Sequence, residues 1–412
     1  MPKVLYNWSS QHCSDILPYR RDLPDATIGA WLDRTRGRPT PIAVAGGRRG
    51  TYLNLNYTNH DCDHVVFNVS DASPSPRSFT NNQWIFAPYV LHDDARSGSS
   101  GGSTVVALLH NEYHGWEHDA TSGCNVTKKQ NTGPASCSWN SISLALSTDG
   151  GRHFTHSSAP PSNLVAASPF RFEPDAPKFG FGCPSHIVRS PKDGYYYSLF
   201  QHFPANNTVD GSGKIGYKGL GSCLVRTATL QDPTSWRYYN SSGGGGPAGS
   251  RGAFTGRFIN PYTSTASLAE REAMVCPNLE GVSAFSPGCG PMIKWSSFFE
   301  RFIVIGIAHG VPAEGHSSFA FALSDDLIQW EAPVAIRELD DNHTAHESSI
   351  YVTLLPPASD VLEGKTGSDN FDVVGEVAEL HWVHQSARSS VVGRGELPIK
   401  RDVLRQLVRF AK

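Results

Sequence analysis

Several things are missing from this sequence, and each absence removes a class of function. No run of 18 apolar residues occurs in its 412, so no transmembrane helix is expected. Lys and Arg number 35 against 38 Asp and Glu, for a net charge of -3, and no block of like charge stands out. Neither nucleic acid nor a membrane surface is therefore an expected partner. No two cysteines have Cys-x-x-Cys spacing, which removes the common zinc and redox motifs. Ser185 lacks the Gly-x-Ser-x-Gly elbow of a serine nucleophile. Helix signals are scarce: only Ser267–Val275 and Lys400–Ala411 read as short helices. Met1–Cys13 holds no apolar segment of the signal-peptide kind.

What is present points to strands. There are 39 Gly and 28 Pro, a load that suits many short strands joined by turns. Five units share one plan of apolar strand, turn, second strand, polar loop, then further strands. The first runs through Thr27–Leu32 and Pro41–Ala45. The second runs through Trp84–Leu91, Thr104–Leu109 and Ile142–Leu146 to Phe154. The third has Ile187–Arg189, Tyr195–Phe200 and Cys223–Thr227, leading to Trp236. The fourth has Met292–Ser296, Phe302–Ala308 and Phe319–Leu323, leading to Trp330. The fifth has Ser349–Leu355, Val373–Val383 and a closing strand near Leu404–Phe410. The expected fold is all-β, a five-bladed β-propeller of four-stranded antiparallel blades. It forms one domain over 1–412, with an arm at 1–21 and blades near 22–80, 81–178, 179–285, 286–340 and 341–412. A pair of β-sandwiches is the competing architecture.

Eight cysteines and seven Asn-x-Ser/Thr sequons, at Asn7, Asn56, Asn68, Asn125, Asn206, Asn240 and Asn342, predict a secreted, disulfide-bonded glycoprotein whose signal peptide is absent from this chain. The preferred pairings are Cys124–Cys137, Cys276–Cys289, Cys13–Cys62 and Cys183–Cys223.

Ser147-Thr-Asp-Gly-Gly-Arg-His-Phe154 fits the Asp-box hairpin of sialidases and related propellers. Glycines take the tight turn, the Asp accepts backbone N–H bonds, and the aromatic packs between sheets. Ser324–Trp330 and Thr227–Trp236 look like looser relatives. Asp149 is thus structural, on the face away from a site.

Asp22-Leu-Pro-Asp25, Pro184-Ser-His-Ile-Val-Arg189 with Asp193-Gly-Tyr-Tyr-Tyr197, Ser324–Trp330, and Asn370-Phe-Asp372 with Val374-Gly375 carry a further resemblance. Across most of Asp22–Leu407 the chain resembles the five-bladed propeller glycosidases, the group of arabinanases, β-xylosidases and invertase-like enzymes. The resemblance implies three acidic residues on inner strands of different blades: a base or nucleophile, a general acid and a residue that tunes its pKa. Asp25 sits where the first-blade acid would be.

In a propeller, starts of first strands and ends of second strands converge on the axis. Those places hold Asp25, His186 and Glu347, then Arg48, His110–His114, His202, His309 and His384. The stretch His110-Asn-Glu-Tyr-His-Gly-Trp-Glu-His-Asp119 follows an apolar strand directly. Alternation puts His110, Glu112 and His114 on one side of it. Glu112 is expected as general acid, Asp25 as base or nucleophile, and Glu347 as the tuning residue. Arg48, His110, Tyr113, His114, Trp116, His186, His202, His309 and His384 would bind substrate, with aromatic rings stacking on sugars. Expected is a monomeric glycoside hydrolase acting on oligo- or polysaccharide. A polysaccharide lyase using His, Tyr and Arg on uronic-acid glycans is the second reading, and a non-catalytic glycan- or protein-binding propeller the third. No protein metal ligand is assigned, but His110, Glu112 and His114 with His186 or His309 leave a divalent cation on the axis open.

Overall fold

The computed structural model describes strands at 3–7, 29–33, 40–45, 49–54 and 60–68, and residues 73–91, 104–115, 118, 122–124, 137–174, 176, 179–203, 205–206, 216–217, 221–241, 252–286, 291–314, 316–339, 347–357, 360, 370, 372–387 and 399–411. In 3–68 the side chains described are those of residues 66 and 67, and those of 205–206, 216–217, 347–351, 383–387 and 399–403 lie outside the description.

The architecture is all-β. Strand β1 is Lys3–Asn7. Strands β2 (Gly29–Asp33), β3 (Thr40–Ala45), β4 (Arg49–Asn54) and β5 (His60–Asn68) form an antiparallel four-stranded sheet in chain order. Next come β6 (Asn82–Leu91), β7 (Thr104–His114) and β8 (Ser138–Ser147), with the short β9 (Thr155–His156) and β10 (Leu164–Ala167) both pairing to β8. A third group holds β11 (Phe179–Pro184), β12 (Val188–Arg189), β13 (Tyr196–Phe203), then β16 (Gly221–Thr227), β17 (Arg237–Asn240) and β18 (Ala253–Arg257); β11 pairs parallel to β8, so the second and third groups form one 11-stranded sheet rather than the separate four-stranded antiparallel blades expected. A two-stranded ribbon, β14 (Ala205–Asn206) and β15 (Gly216–Tyr217), lies between β13 and β16 in sequence. A short α-helix, α1, is Leu268–Ala273, and single 3-10 turns lie at Pro76–Ser78, Pro233–Ser235 and Glu280–Val282. Strands β19 (Met292–Ser296), β20 (Arg301–His309), β21 (Ser317–Ser324) and β22 (Val334–Glu338) make another four-stranded sheet. The last is β23 (Glu347–Leu355), β24 (Val377–Ala387) and β25 (Ile399–Arg409), completed by β1 from the N-terminus.

Residue types explain which strands are central. In β7, Val105–Leu109 is an unbroken apolar run and every residue of it is buried, as expected for a strand covered on both faces. β22 is half exposed, as suits an edge. Pro88 in β6 has no N–H to offer a ladder, and β6 is an edge strand with a register shift between Ile85 and Ala87. The free edge of β6 is capped by an amide. Asn370 Oδ1 accepts from Val90 N at 2.7 Å, and its Nδ2 donates to Val90 O at 3.1 Å.

Apolar clusters join the groups. Phe86, Cys183, Met292, Ile303, Phe319, Val352, Leu354 and Trp382 pack as one core, drawn from β6, β11, β19, β20, β21, β23 and β24. Val66 and Phe67 of β5 pack with Ile85, Val105 and Phe154.

Lys400–Ala411 is not helical. Strand β25 pairs with β24 from Ala387↔Ile399 to Val377↔Arg409, and this cross-strand ladder overrides a helix-compatible local pattern. The arm's Lys3–Asn7 pairs with β25 rather than standing apart. Ser267–Val275 does contain α1, opened by a capping box in which Ser267 and Glu270 satisfy each other's backbone N–H groups. Cys124–Cys137 is bonded as expected. Cys276 is bonded to Cys223, which overturns both Cys276–Cys289 and Cys183–Cys223. After α1 the chain returns along β16, where Leu279 N donates to Ser222 O, and this brings Cys276 under Cys223.

All three expected hairpins open on a strand-end hydroxyl, of Ser147, Ser324 or Thr227, that accepts the backbone N–H two residues on. Asp149 Oδ1 accepts from Arg152 N and His153 N, both at 3.0 Å, and Phe154 is buried between the first two groups. Asp326 Oδ1 accepts from Ile328 N and Gln329 N. In the third, Thr227 Oγ1 accepts from Thr229 N and Trp236 is buried. Each joins a strand (β8, β16 or β21) to the next one, which pairs with it.

Candidate functional site

The end of β7 opposite the Asp149 hairpin carries a polar cluster. Glu112 pairs in register with Asn82 of β6 and Asn140 of β8, so all three side chains share one sheet face. Two residues away along β7, His110 and His114 stand on that same face. The Glu112 side chain is 17% exposed, His110 8% and His114 16%. Trp84 flanks both imidazoles, with centroids 5.6 Å from His110 and 6.4 Å from His114.

Hydrogen bonds fix the proton positions. The backbone N–H of His114 donates to Asn81 Oδ1 at 3.0 Å, so that atom is an acceptor. Asn82 Nδ2 donates to the same oxygen at 2.8 Å. It also faces His114 Nδ1 at 2.9 Å, which must then accept. Nε2 of a neutral His114 therefore carries the hydrogen, and it points at Glu112 Oε2, 2.8 Å away. On the other oxygen, Asn140 Nδ2 donates to Glu112 Oε1 at 3.3 Å and faces His110 Nε2 at 3.1 Å. A neutral His110 accepts that bond. Once protonated, its Nε2, 3.4 Å from Oε1, becomes a cationic partner of the carboxylate. Glu112 thus accepts from two N–H donors, His114 Nε2 and Asn140 Nδ2, which favour its charged form.

Asn140 is held by an unusual neighbour. Gly180 of β11 lies parallel beside it with φ +105°, and a Cβ at Gly180 would collide with the Asn140 carbonyl oxygen. Only glycine fits both the dihedral and the approach. From the same strand, Cys183 Sγ stands 3.8 Å from His110 Nδ1.

Tyr113 is on the opposite face. It is 5% exposed and its hydroxyl donates to Pro74 O. There it lines a narrow recess with Phe79, Thr80, Asn81, Asn111 and Trp139, with room for about one water molecule. Glu112 also lines that recess.

The remaining expected residues fall elsewhere. His186 Nε2 lies 2.8 Å from Thr353 Oγ1. Burial, then the charge of Lys294, holds its imidazole well below the usual histidine range. Lys294 of β19 is itself buried, which brings its ammonium down to about 8 against the pull of Asp372. Tyr89 of β6 is pushed up by burial and by Asp372. This second cluster draws on β6, β19, β23 and the segments before β12 and β24. His202 is stacked on Phe181, 5.6 Å away, and bonded to Asn278 Oδ1 at 2.6 Å, and burial lowers it to about 4. His309 is exposed and bonded to Ser317 of its own hairpin. Glu347 and His384 lie in β23 and β24, where Glu347 pairs with Ser386 and Ser349 with His384. Their side chains, like all of Asp25, Arg48 and Trp116, lie outside the described residues. Among the described residues no three acidic, His or Cys side chains are grouped to hold a metal ion.

Sequence reasoning missed Trp84, Asn81, Asn82 and Asn140, which complete the Glu112 cluster, and Lys294 and Asp372. Amides carry no motif, and Lys294 is a lone cation in an apolar strand. A lysine inside an otherwise apolar strand was the available signal.

No family model matches this chain, and no curated protein matches it. Among solved structures, an exo-inulinase from Aspergillus awamori is similar at 12% identity with a TM-score of 0.36, over 79% of this chain and 48% of that one. An N-acetylgalactosamine deacetylase from F. plautii, solved with blood group B trisaccharide, is similar at 11% identity and TM-score 0.37, over 87% and 84%. A sucrose-6-phosphate hydrolase from Lactobacillus gasseri is similar at 9% identity and TM-score 0.36, over 93% and 58%. This chain spans about half the length of the first.

Proposed function

We propose that this protein is a secreted carbohydrate-active hydrolase whose strand groups are the blades of a five-bladed β-propeller, with Glu112 as one of two working carboxylates. The groups follow one another in chain order, β1 completes the last of them, and three carry a hairpin opened by a strand-end hydroxyl. Disulfides, with no free cysteine among the described residues, favour an oxidising compartment.

The observation that carries the reading is the Glu112 carboxylate, one-sixth exposed, held between His114 Nε2 at 2.8 Å and Asn140 Nδ2 at 3.3 Å at the end of a rigid strand. Glycoside cleavage needs two carboxyl groups, about 5–5.5 Å apart for retention or about 6.5–9.5 Å for inversion. Two N–H donors favour its charged form, so Glu112 suits the nucleophile or base, which enters the reaction ionised, better than the acid expected from sequence alone. Asp25 then supplies the other carboxyl and Glu347 tunes it. Trp84 and the two imidazoles offer the apolar wall and hydroxyl partners of a sugar site.

The test is product formation on a panel of neutral and uronic-acid polysaccharides, comparing wild type with Glu112→Gln. New reducing ends, reduced about 10²–10⁴-fold in a variant that melts like wild type, are the expected result. Unsaturated uronate products, seen by their ultraviolet absorbance, would replace hydrolase with lyase. No product from any glycan would leave a binding propeller.

A further inference from the structure

Three arginines converge on the Pro261–Tyr262 turn. Arg171 Nε donates to Pro261 O at 3.0 Å and Arg271 Nη1 donates to the same oxygen at 3.2 Å, so two cations stand within two hydrogen-bond lengths of each other. Arg77 and Arg171 each place their guanidinium against the Tyr262 ring, 5.5 and 5.9 Å from its centroid. Elsewhere Arg226, Arg301, Arg405 and Arg409 each face a carboxylate. Among the described residues no carboxylate lies within ion-pair distance of Arg77, Arg171 or Arg271. The carboxylate of Glu270 is spent on its own helix cap.

The three divide the work. Arg271 gives its N–H groups to the carbonyls of Ala266, Pro169, Pro261 and Ser264, and so fixes the turn. Arg77 and Arg171 are exposed, and apart from the Arg171 Nε bond their N–H groups have no protein acceptor among the described residues. Like charges gathered without a counter-charge cost stability unless an anion completes them. The group sits at the Glu112 end of the sheet, on the face that Tyr113 and Trp139 share and opposite the one that carries the Glu112 side chain. Tyr262 packs 5.7 Å from Trp139, Trp139 pairs with Tyr113, and Tyr113 is next to Glu112 in β7.

We propose that Arg77 and Arg171 hold an acidic group of the substrate, a uronate carboxylate or a sulfate ester, so that the protein acts on an anionic glycan. This rests on the hydrolase reading for the word substrate, and on the arginine geometry alone for the anion. Both guanidinium forks match the planar carboxylate and the oxygens of a sulfate ester.

Binding without turnover tests it. Polygalacturonate, dextran sulfate and uncharged dextran are titrated into wild type, Arg77→Gln, Arg77→Gln/Arg171→Gln, and a charge-matched control, Arg257→Gln/Arg409→Gln. The expected result is about tenfold or greater weakening in the double variant on the anionic polymer that wild type binds, with the control near wild type. Which polymer responds separates carboxylate from sulfate. Arg77→Gln loses no protein hydrogen bond, so it should weaken binding even if Arg171 proves necessary for folding. A double variant as tight as the control on both anionic polymers overturns the inference, and so does wild-type protein that binds neither at low salt. Because no product is read, this can fail while the role of Glu112 stands, and the reverse.

Discussion

Asn140 is the residue on which the Glu112 cluster turns. One amide nitrogen serves both Glu112 Oε1 and His110 Nε2, so its position sets the separation of the two groups. That position depends in turn on Gly180, whose positive φ and contact with the Asn140 carbonyl leave no space for a side chain. Gly180→Ala should therefore act at a distance. The strain of a non-glycine residue in this conformation costs about 1–3 kcal/mol, and the displaced Asn140 loosens the carboxylate. The expected outcome is a lower melting temperature together with a fall in kcat larger than any rise in KM. A variant with wild-type kcat and only a lower melting temperature would separate Asn140 from the chemistry. The alternation of His110, Glu112 and His114 was legible in the sequence because a strand repeats every two residues. Asn82 and Asn140 were not, because they arrive from neighbouring strands about thirty residues away in register no local pattern specifies.

Among elements, the closing hairpins show how a short motif becomes architecture. Ser147 Oγ accepts from Gly151 N at 2.9 Å while Asp149 Oδ1 takes two further backbone N–H groups. The turn then delivers Phe154 to the core it shares with Val66 and Phe67. These bonds satisfy donors that no ladder reaches. Asp149→Ala should cost about 1–3 kcal/mol, read as a lower urea midpoint, while product formation at saturating substrate stays near wild type, because the turn lies at the far end of β8 from Asn140. A loss of activity out of proportion to stability would contradict that separation. The hairpin was legible because its chemistry is local: Asp, glycines and an aromatic at fixed offsets. β25 was misread as helix for the converse reason, since its partner β24 enters only through long-range pairing. The Cys223–Cys276 bond, 53 residues apart, was hidden in the same way.

Across the whole molecule, the groups meet through buried polar contacts as well as apolar ones. His186 reaches Thr353, the charge of Lys294 helps keep His186 neutral, and Asp372 acts on both Lys294 and Tyr89, so strands from four groups share one network. Such a network is costly to bury and specifies how the groups sit together. Its pH signature follows from Lys294, which releases its proton near 8 when folded and near 10.5 when unfolded. Between those values the unfolded chain binds more protons, so stability from this group rises with pH across the window, and below about 8 the full cost of burying the ammonium is present. Lys294→Met removes the titration. Urea midpoints measured from pH 8 to 10.5 should then show wild type gaining on the variant as pH rises. Parallel curves would mean that Lys294 keeps an ordinary value and that water, not protein, surrounds it. A gain confined to the wild type would place the ammonium inside the shared core, where removing its charge relieves the junction of four strand groups at once.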